Sequence, residues 1–159
     1  MDMIFALSNL TVMPFWLLMI FLPGWSLTRR VIASPLVAAL PALIYAALVL
    51  PRIGPLFAAV SSPELAGVAA LLGTPEGATI AWAHFLAFDL LVGRWAYLES
   101  RERRISPWLM APVLFLILML GPLGFLLYLG LRAASGLASR QSRTPRRDGS
   151  HMPQGSVPE

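Results

Sequence analysis

The chain of 159 residues has no cysteine, and only 13% of its residues are charged. Without cysteine it can hold neither a disulfide nor a thiolate metal site. Lysine is also absent, so all 12 basic residues are arginines. Most of them fall in loops and in the C-terminal stretch. The basic balance therefore describes the flanks of apolar segments, and no nucleic-acid surface is expected. Soluble domains carry about 25% charged residues. With 57% hydrophobic residues and a mean hydropathy of +0.72, this composition is that of an integral membrane protein. Asp2, in place of basic residues, precedes the first apolar stretch, and no small-residue cleavage site follows it. No cleaved signal peptide is expected, and no transit peptide is visible. The expected location is a bacterial plasma (inner) membrane.

A bilayer crossing needs about 20 apolar residues. Spans are expected at about 3–22, 35–50, 75–100 and 107–131. They make residues 1–132 one all-α transmembrane domain, a four-helix bundle, followed by a disordered basic tail over 133–159. Leu65 to Leu72 is too short to cross, so a short interfacial helix is expected between spans two and three, as a connector or as a lid over a pocket mouth. Ser34-Pro35, Ser62-Pro63-Glu64 and Thr74-Pro75-Glu76 read as helix starts. Pro51-Arg52-Ile53-Gly54-Pro55 reads as the close of span two, and Thr28-Arg29-Arg30 as a short basic turn. Pro14 frees the carbonyl of Leu10, and Asn9 and Thr11 stand one turn away to answer it or to face a cavity. Pro122 likewise frees the carbonyl of Leu118. Gly121 and Gly124 allow close helix contact, within the chain or in a homo-oligomer. Gly149-Ser150-His151-Met152 resembles an expression-vector scar, so His151 enters no site argument. If all four spans cross, Arg29, Arg30, Arg101, Arg103 and Arg104 face Arg52, Arg132 and the tail arginines across the membrane; positive-inside counting favours the first face if the tail is ignored and is undecided if it counts.

The third span carries His84, Asp89 and Arg94. Ionisable groups at that depth cost on the order of 3 kcal/mol each. Spaced by five, each is rotated about 140° from the last, so they cannot share one groove. Phe88 and Trp95 share the side of His84, while Trp82 and Gly93 lie nearer that of Asp89. Arg94 and Glu99 approach the aqueous edge and read as structural, ion-pairing groups. Several readings of the polar set stand side by side. Asp89 and Arg94 can pair with each other or with freed carbonyls and hold the bundle together. One histidine and one or two carboxylates are too few for a metal site. A proton path would need more ionisable groups on other spans. Acid/base chemistry on an apolar, membrane-dissolved substrate is the fourth reading. A carboxyl in apolar surroundings keeps its proton until it can give it up as an acid, and a nearby imidazole can take or relay a proton.

Three strings carry a family resemblance. They are Trp82-Ala83-His84-Phe85-Leu86-Ala87-Phe88-Asp89-Leu90-Leu91-Val92-Gly93-Arg94-Trp95-Ala96-Tyr97-Leu98-Glu99, then Ile105-Ser106-Pro107-Trp108-Leu109-Met110-Ala111-Pro112-Val113-Leu114, and then Met119-Leu120-Gly121-Pro122-Leu123-Gly124-Phe125-Leu126-Leu127-Tyr128. Together they resemble the membrane family of the plant abscisic-acid-deficient-four protein, which is associated with neoxanthin synthesis. The likeness spans about residues 1–132. It implies isomerisation of a carotenoid or related isoprenoid, as in opening the epoxide of violaxanthin to the allene of neoxanthin. That reaction has no net redox change, so it calls for no flavin, nicotinamide or metal, and the sequence has no glycine-rich nucleotide loop. Under this resemblance Asp89 is the acid, His84 the base or relay, and Asn9 a hydrogen-bond partner of the substrate oxygen. Trp82, Phe88 and Trp95 would line the substrate. The partner is then a membrane lipid or carotenoid. A non-catalytic pigment- or lipid-binding scaffold is the alternative. Either use places the polar groups near residues 84 to 94 in an enclosed chamber at lipid depth.

Overall fold

The computed structural model describes residues 1–141, with side chains described through Gly136. The described part is all-α. Its helices are α1 (Asp2–Phe21), α2 (Ser26–Ala33), α3 (Ala39–Val49), α4 (Ile53–Ser61), α5 (Leu65–Leu72), α6 (Pro75–Glu102) and α7 (Pro107–Gln141). Single 3-10 turns, Pro35–Ala38 and Leu50–Arg52, flank α3. Three stretches are long and apolar enough to cross a membrane: Asp2–Phe21, Pro35–Ser61 and Pro107–Gly136. α6 has the length but a more polar composition, and it packs against α1, α3, α5 and α7.

The proline signals act mostly as their positions dictate. Thr74 caps α6, its hydroxyl accepting the Gly77 N–H at 3.0 Å with Pro75 in the first turn. Ser34 accepts the Leu36 N–H in the same way. Ser62 does not cap α5, whose N-cap is Glu64 without a side-chain bond. The second apolar stretch does not close at Pro51–Pro55. Pro51 falls in the 3-10 turn that joins α3 to α4, so helix continues to Ser61. Arg29 and Arg30 lie in a two-turn helix, α2, where a bare turn was expected. α7 runs past Arg132 to Gln141, and the remainder of the expected tail, 142–159, lies outside the described residues.

α1 runs parallel to α6. Asn9 meets Trp82, Trp16 meets Gly93, and the Tyr97 hydroxyl donates to the Pro23 carbonyl at 2.9 Å. Trp16 is buried against Gly93, where any Cβ would collide with the outer ring of the indole. α3 runs antiparallel, with Tyr45 beside His84 and Arg52 ion-paired to Glu76. In lipid, such close packing holds helices together in place of a hydrophobic drive.

α7 departs most from expectation. It is not one straight rod: Leu120 (φ −140°, ψ 39°) and Gly121 (φ 4°, ψ −79°) leave helical geometry. The chain doubles back there. A Cβ at Gly124 would strike the backbone of Leu116 and Ile117, seven or so residues earlier, which a continuous helix would hold about 10 Å away. The returning arm then climbs alongside α6. Gly121 lies against Asp89, Phe125 and Tyr128 against Trp95, and Tyr128 and Arg132 against Glu99. The first arm falls well short of a crossing: residues 107–119 rise only about 20 Å as helix. Arg132 therefore sits at the same end of the molecule as Arg101, Arg103 and Arg104. The fourth straight span expected over 107–131 is a helical hairpin, because Gly121 and Gly124 permit a reversal that larger residues would block.

The native chain lacks cysteine, so single cysteines report topology cleanly. Ser106→Cys and Ser135→Cys should react with a membrane-impermeant maleimide from the same side of sealed vesicles, and Ser62→Cys from the opposite side. Opposite sidedness of 106 and 135 would mean a straight α7.

Candidate functional site

The reversal of α7 opens a space beside the middle of α6. A cavity of about 570 Å³ lies between them, lined from α6 by Trp82, His84, Phe85, Phe88, Asp89 and Val92 and from α7 by residues 118–122 and Phe125. Irregular backbone at such depth is tolerated where it lines a cavity or is covered by protein. Asp89 stands against Gly121, where a Cβ would collide with its carboxylate oxygen. Among the described residues, none hydrogen-bonds or ion-pairs with the Asp89 carboxyl. It thus faces the cavity without a protein partner. His84 stacks on Phe88 at 4.6 Å between ring centroids and also meets Tyr45 at 5.4 Å. The arrangement puts one carboxyl and one imidazole on the wall of a space otherwise lined by aromatic and aliphatic side chains. The rotation of about 140° between them is spanned by the width of the cavity.

The cavity is not the enclosed chamber expected. Phe85 is 55% exposed, Phe88 56% and Trp82 41%, so its α6 wall opens sideways to the outer surface of the bundle. Helices α6 and α7 supply the two walls, and among the described residues no third element lines the cavity.

The other expected site residues fall in different places. Asn9 does not line the cavity. Its Oδ1 accepts the Trp82 indole N–H at 3.0 Å, while its Nδ2 donates to the Phe5 carbonyl at 2.8 Å. Phe5 in turn packs on Trp82 at 5.6 Å. Asn9 is therefore a bracket that fixes a cavity wall. Neither Asn9 nor Thr11 answers the Leu10 carbonyl, since Thr11 donates to Ser8 O. Trp95 lies beyond the cavity, against Phe125, Tyr128 and the Arg132 guanidinium. Arg94 pairs with neither Asp89 nor Glu99. Its Nε donates to Ile32 O at 2.8 Å and its Nη2 to Ala33 O at 2.5 Å. These are the last carbonyls of α2, left without helical donors, and a cation there suits the negative helix end. Glu99 instead gathers Arg103, Arg132 and the Tyr128 hydroxyl, locking the returning arm of α7 to α6. Among the described residues no group of three His, Asp or Glu side chains could hold a metal ion.

Residues 118–122 are site-forming residues that sequence reasoning left unassigned. The Gly121-Pro122 pair was a signal for them, since proline removes a backbone donor just where glycine removes a side chain.

These features define a class: an all-α membrane protein with a side-opening, apolar groove centred on an unpaired carboxyl. The model of the family described as ABA DEFICIENT 4-like matches residues 3–128, and the chain belongs to that family. No curated protein and no solved structure matches the chain.

Replacing Arg94 by methionine keeps the bulk and removes the donors. The part-buried Ile32 carbonyl then goes unpaired, at about 1–3 kcal/mol for an orphaned buried group, while the exposed Ala33 carbonyl adds less. Arg94→Met should therefore lower the Tm in detergent by several degrees, whereas Glu102→Gln at the exposed end should leave it unchanged.

Proposed function

We propose that the protein isomerises a carotenoid or related isoprenoid epoxide within the membrane, using Asp89 and His84 in the α6–α7 groove. One observation carries this reading. A single cavity presents an unpaired carboxyl and an imidazole inside a wall that is otherwise hydrocarbon and aromatic. Such a wall suits a polyene, and the two polar groups suit the only bonds that need protons. Membership of the ABA DEFICIENT 4-like family suggests a role related to neoxanthin synthesis, and the groove supplies groups for that chemistry. Asp89 gives a proton to the epoxide oxygen as the C–O bond breaks. The cation left behind spreads along the polyene and is held beside the Asp89 carboxylate. His84 takes the proton from the neighbouring carbon, whose electrons form the allene. One proton enters and one leaves, so atoms and charge balance without a redox partner. Asn9 acts indirectly, by holding Trp82 against the ligand.

In this reading α6 crosses the membrane with α1 and α3, shielded by its neighbours, while α7 enters and leaves on one side. Among the described residues, Arg29, Arg30, Arg101, Arg103, Arg104 and Arg132 then share one face and Arg52 stands on the other. The positive-inside rule makes the arginine-rich face cytoplasmic, in keeping with a plasma-membrane protein of a bacterium.

The deciding assay adds violaxanthin to reconstituted protein and analyses the products. Wild type should form the allene. Asp89→Asn should fold normally and lose at least about 100-fold in rate, the usual worth of a positioned acid. Full conversion by Asp89→Asn would remove the acid from the mechanism. Binding without conversion by wild type would mark the protein as a pigment-binding scaffold.

A further inference from the structure

The groove beside Asp89 has a neighbour that the chemistry above does not use. A second cavity of about 350 Å³ lies among α3, α4, α5 and α6, bounded by Tyr45, Leu56, Phe57, Leu71, Gly77 and Ala81. His84 and Phe85 belong to the walls of both spaces. These two rings are the wall that the cavities share; their centroids are 6.1 Å apart and their planes 74° to one another. From Gly77 to Asp89 the α6 axis advances about 18 Å. Among the described residues that line it, the second cavity has no carboxylate, amine or guanidinium, and its polar side chains are Tyr45 and His84. It has nothing to react with, only surface to pack against.

We propose that this second cavity seats the distal, unreactive part of the same ligand whose reacting end lies at Asp89. The protein then selects an elongated apolar molecule, at least about 18 Å long, that threads past His84 and Phe85. This rests on the reading of the Asp89 groove as a ligand site. In a bilayer such a ligand is already out of water, so leaving lipid for the cavity gains little from the hydrophobic effect. Length selectivity comes instead from shape and close contact along the walls, the same terms that hold helices together in lipid. Leu56 on α4 and Ala81 on α6 set the width of the distal half. They touch neither Asp89 nor the α7 reversal.

The test uses wild type, Leu56→Trp and Ala81→Phe in vesicles, with quenching of tryptophan fluorescence read against the mole fraction of ligand. The probes are a ten-carbon terpene epoxide, too short to reach both cavities, and a forty-carbon polyene epoxide. Wild type should bind the long probe about tenfold more tightly, a contact-energy difference that uniform binding along the remote part would supply. Each variant should lose about that factor for the long probe and keep its affinity for the short one. Unchanged affinity for the long probe in both variants overturns the proposal, as does equal affinity of wild type for both lengths. Both of those results leave the Asp89 groove standing as a ligand site. Failure of wild type to bind either probe overturns the groove reading and this one together. The wild-type length comparison needs no variant, so a poorly folding substitution cannot rescue the idea.

Discussion

The architecture depends on the meeting of Gly121 with Asp89. Helix α7 can reverse there only because two positions, Gly121 and Gly124, carry no side chain. The reversal brings backbone without helical geometry to the depth where α6 carries its carboxyl. Each feature makes the other tolerable. A broken helix inside lipid needs a protein-lined space, and a carboxyl at that depth needs somewhere other than hydrocarbon to point. The rest of the fold supports this meeting. α1 braces α6 through Trp16 and Tyr97, and Glu99 ties the returning arm back through Tyr128 and Arg132.

The ionisable groups of α6 illustrate how one helix separates structural from chemical duties by rotation alone. Arg94 turns toward α2 and satisfies its terminal carbonyls. Glu99 turns toward the returning arm and collects two arginines and a phenol. Glu76, at the other end, holds Arg52 and so fixes α3 to α6. Each of these has a protein partner. Asp89 has none among the described residues, and it alone of the four faces the groove. A charged or polar group with every bond made is architecture. One left without a partner beside open space is a candidate for chemistry.

Much of the fold was legible in the sequence. The all-α class, the short helix over 65–72 and the start of α6 follow from composition, apolar run length and the Thr74-Pro75-Glu76 signal. The polar pair of the groove was also legible, because His84 and Asp89 stand out in an apolar stretch. The direction of α7 was not. Gly121-Pro122-Leu123-Gly124 fits a tight helix contact as well as a reversal, and the difference lies in where Ile117 ends up, which no local pattern records. Orientation suffered for the same reason, since moving Arg132 across the molecule redistributes the arginines. The role of Asn9 was hidden because its partner Trp82 is 73 residues away. The structural reading of Arg94 did not name its partners, because they are backbone carbonyls, which every sequence position has and none advertises.

The sideways mouth beside Phe85 and Phe88 has a consequence for how occupancy must be reckoned. If the groove takes a lipid-dissolved guest, that guest comes from among the acyl chains and leaves to them, never passing through the aqueous phase. Its saturation then follows a ratio of guest to lipid, a two-dimensional abundance, and not moles per litre of buffer. Diluting the bilayer with inert lipid, or swelling a micelle with detergent, empties the groove even when the total amount of guest in the tube is unchanged.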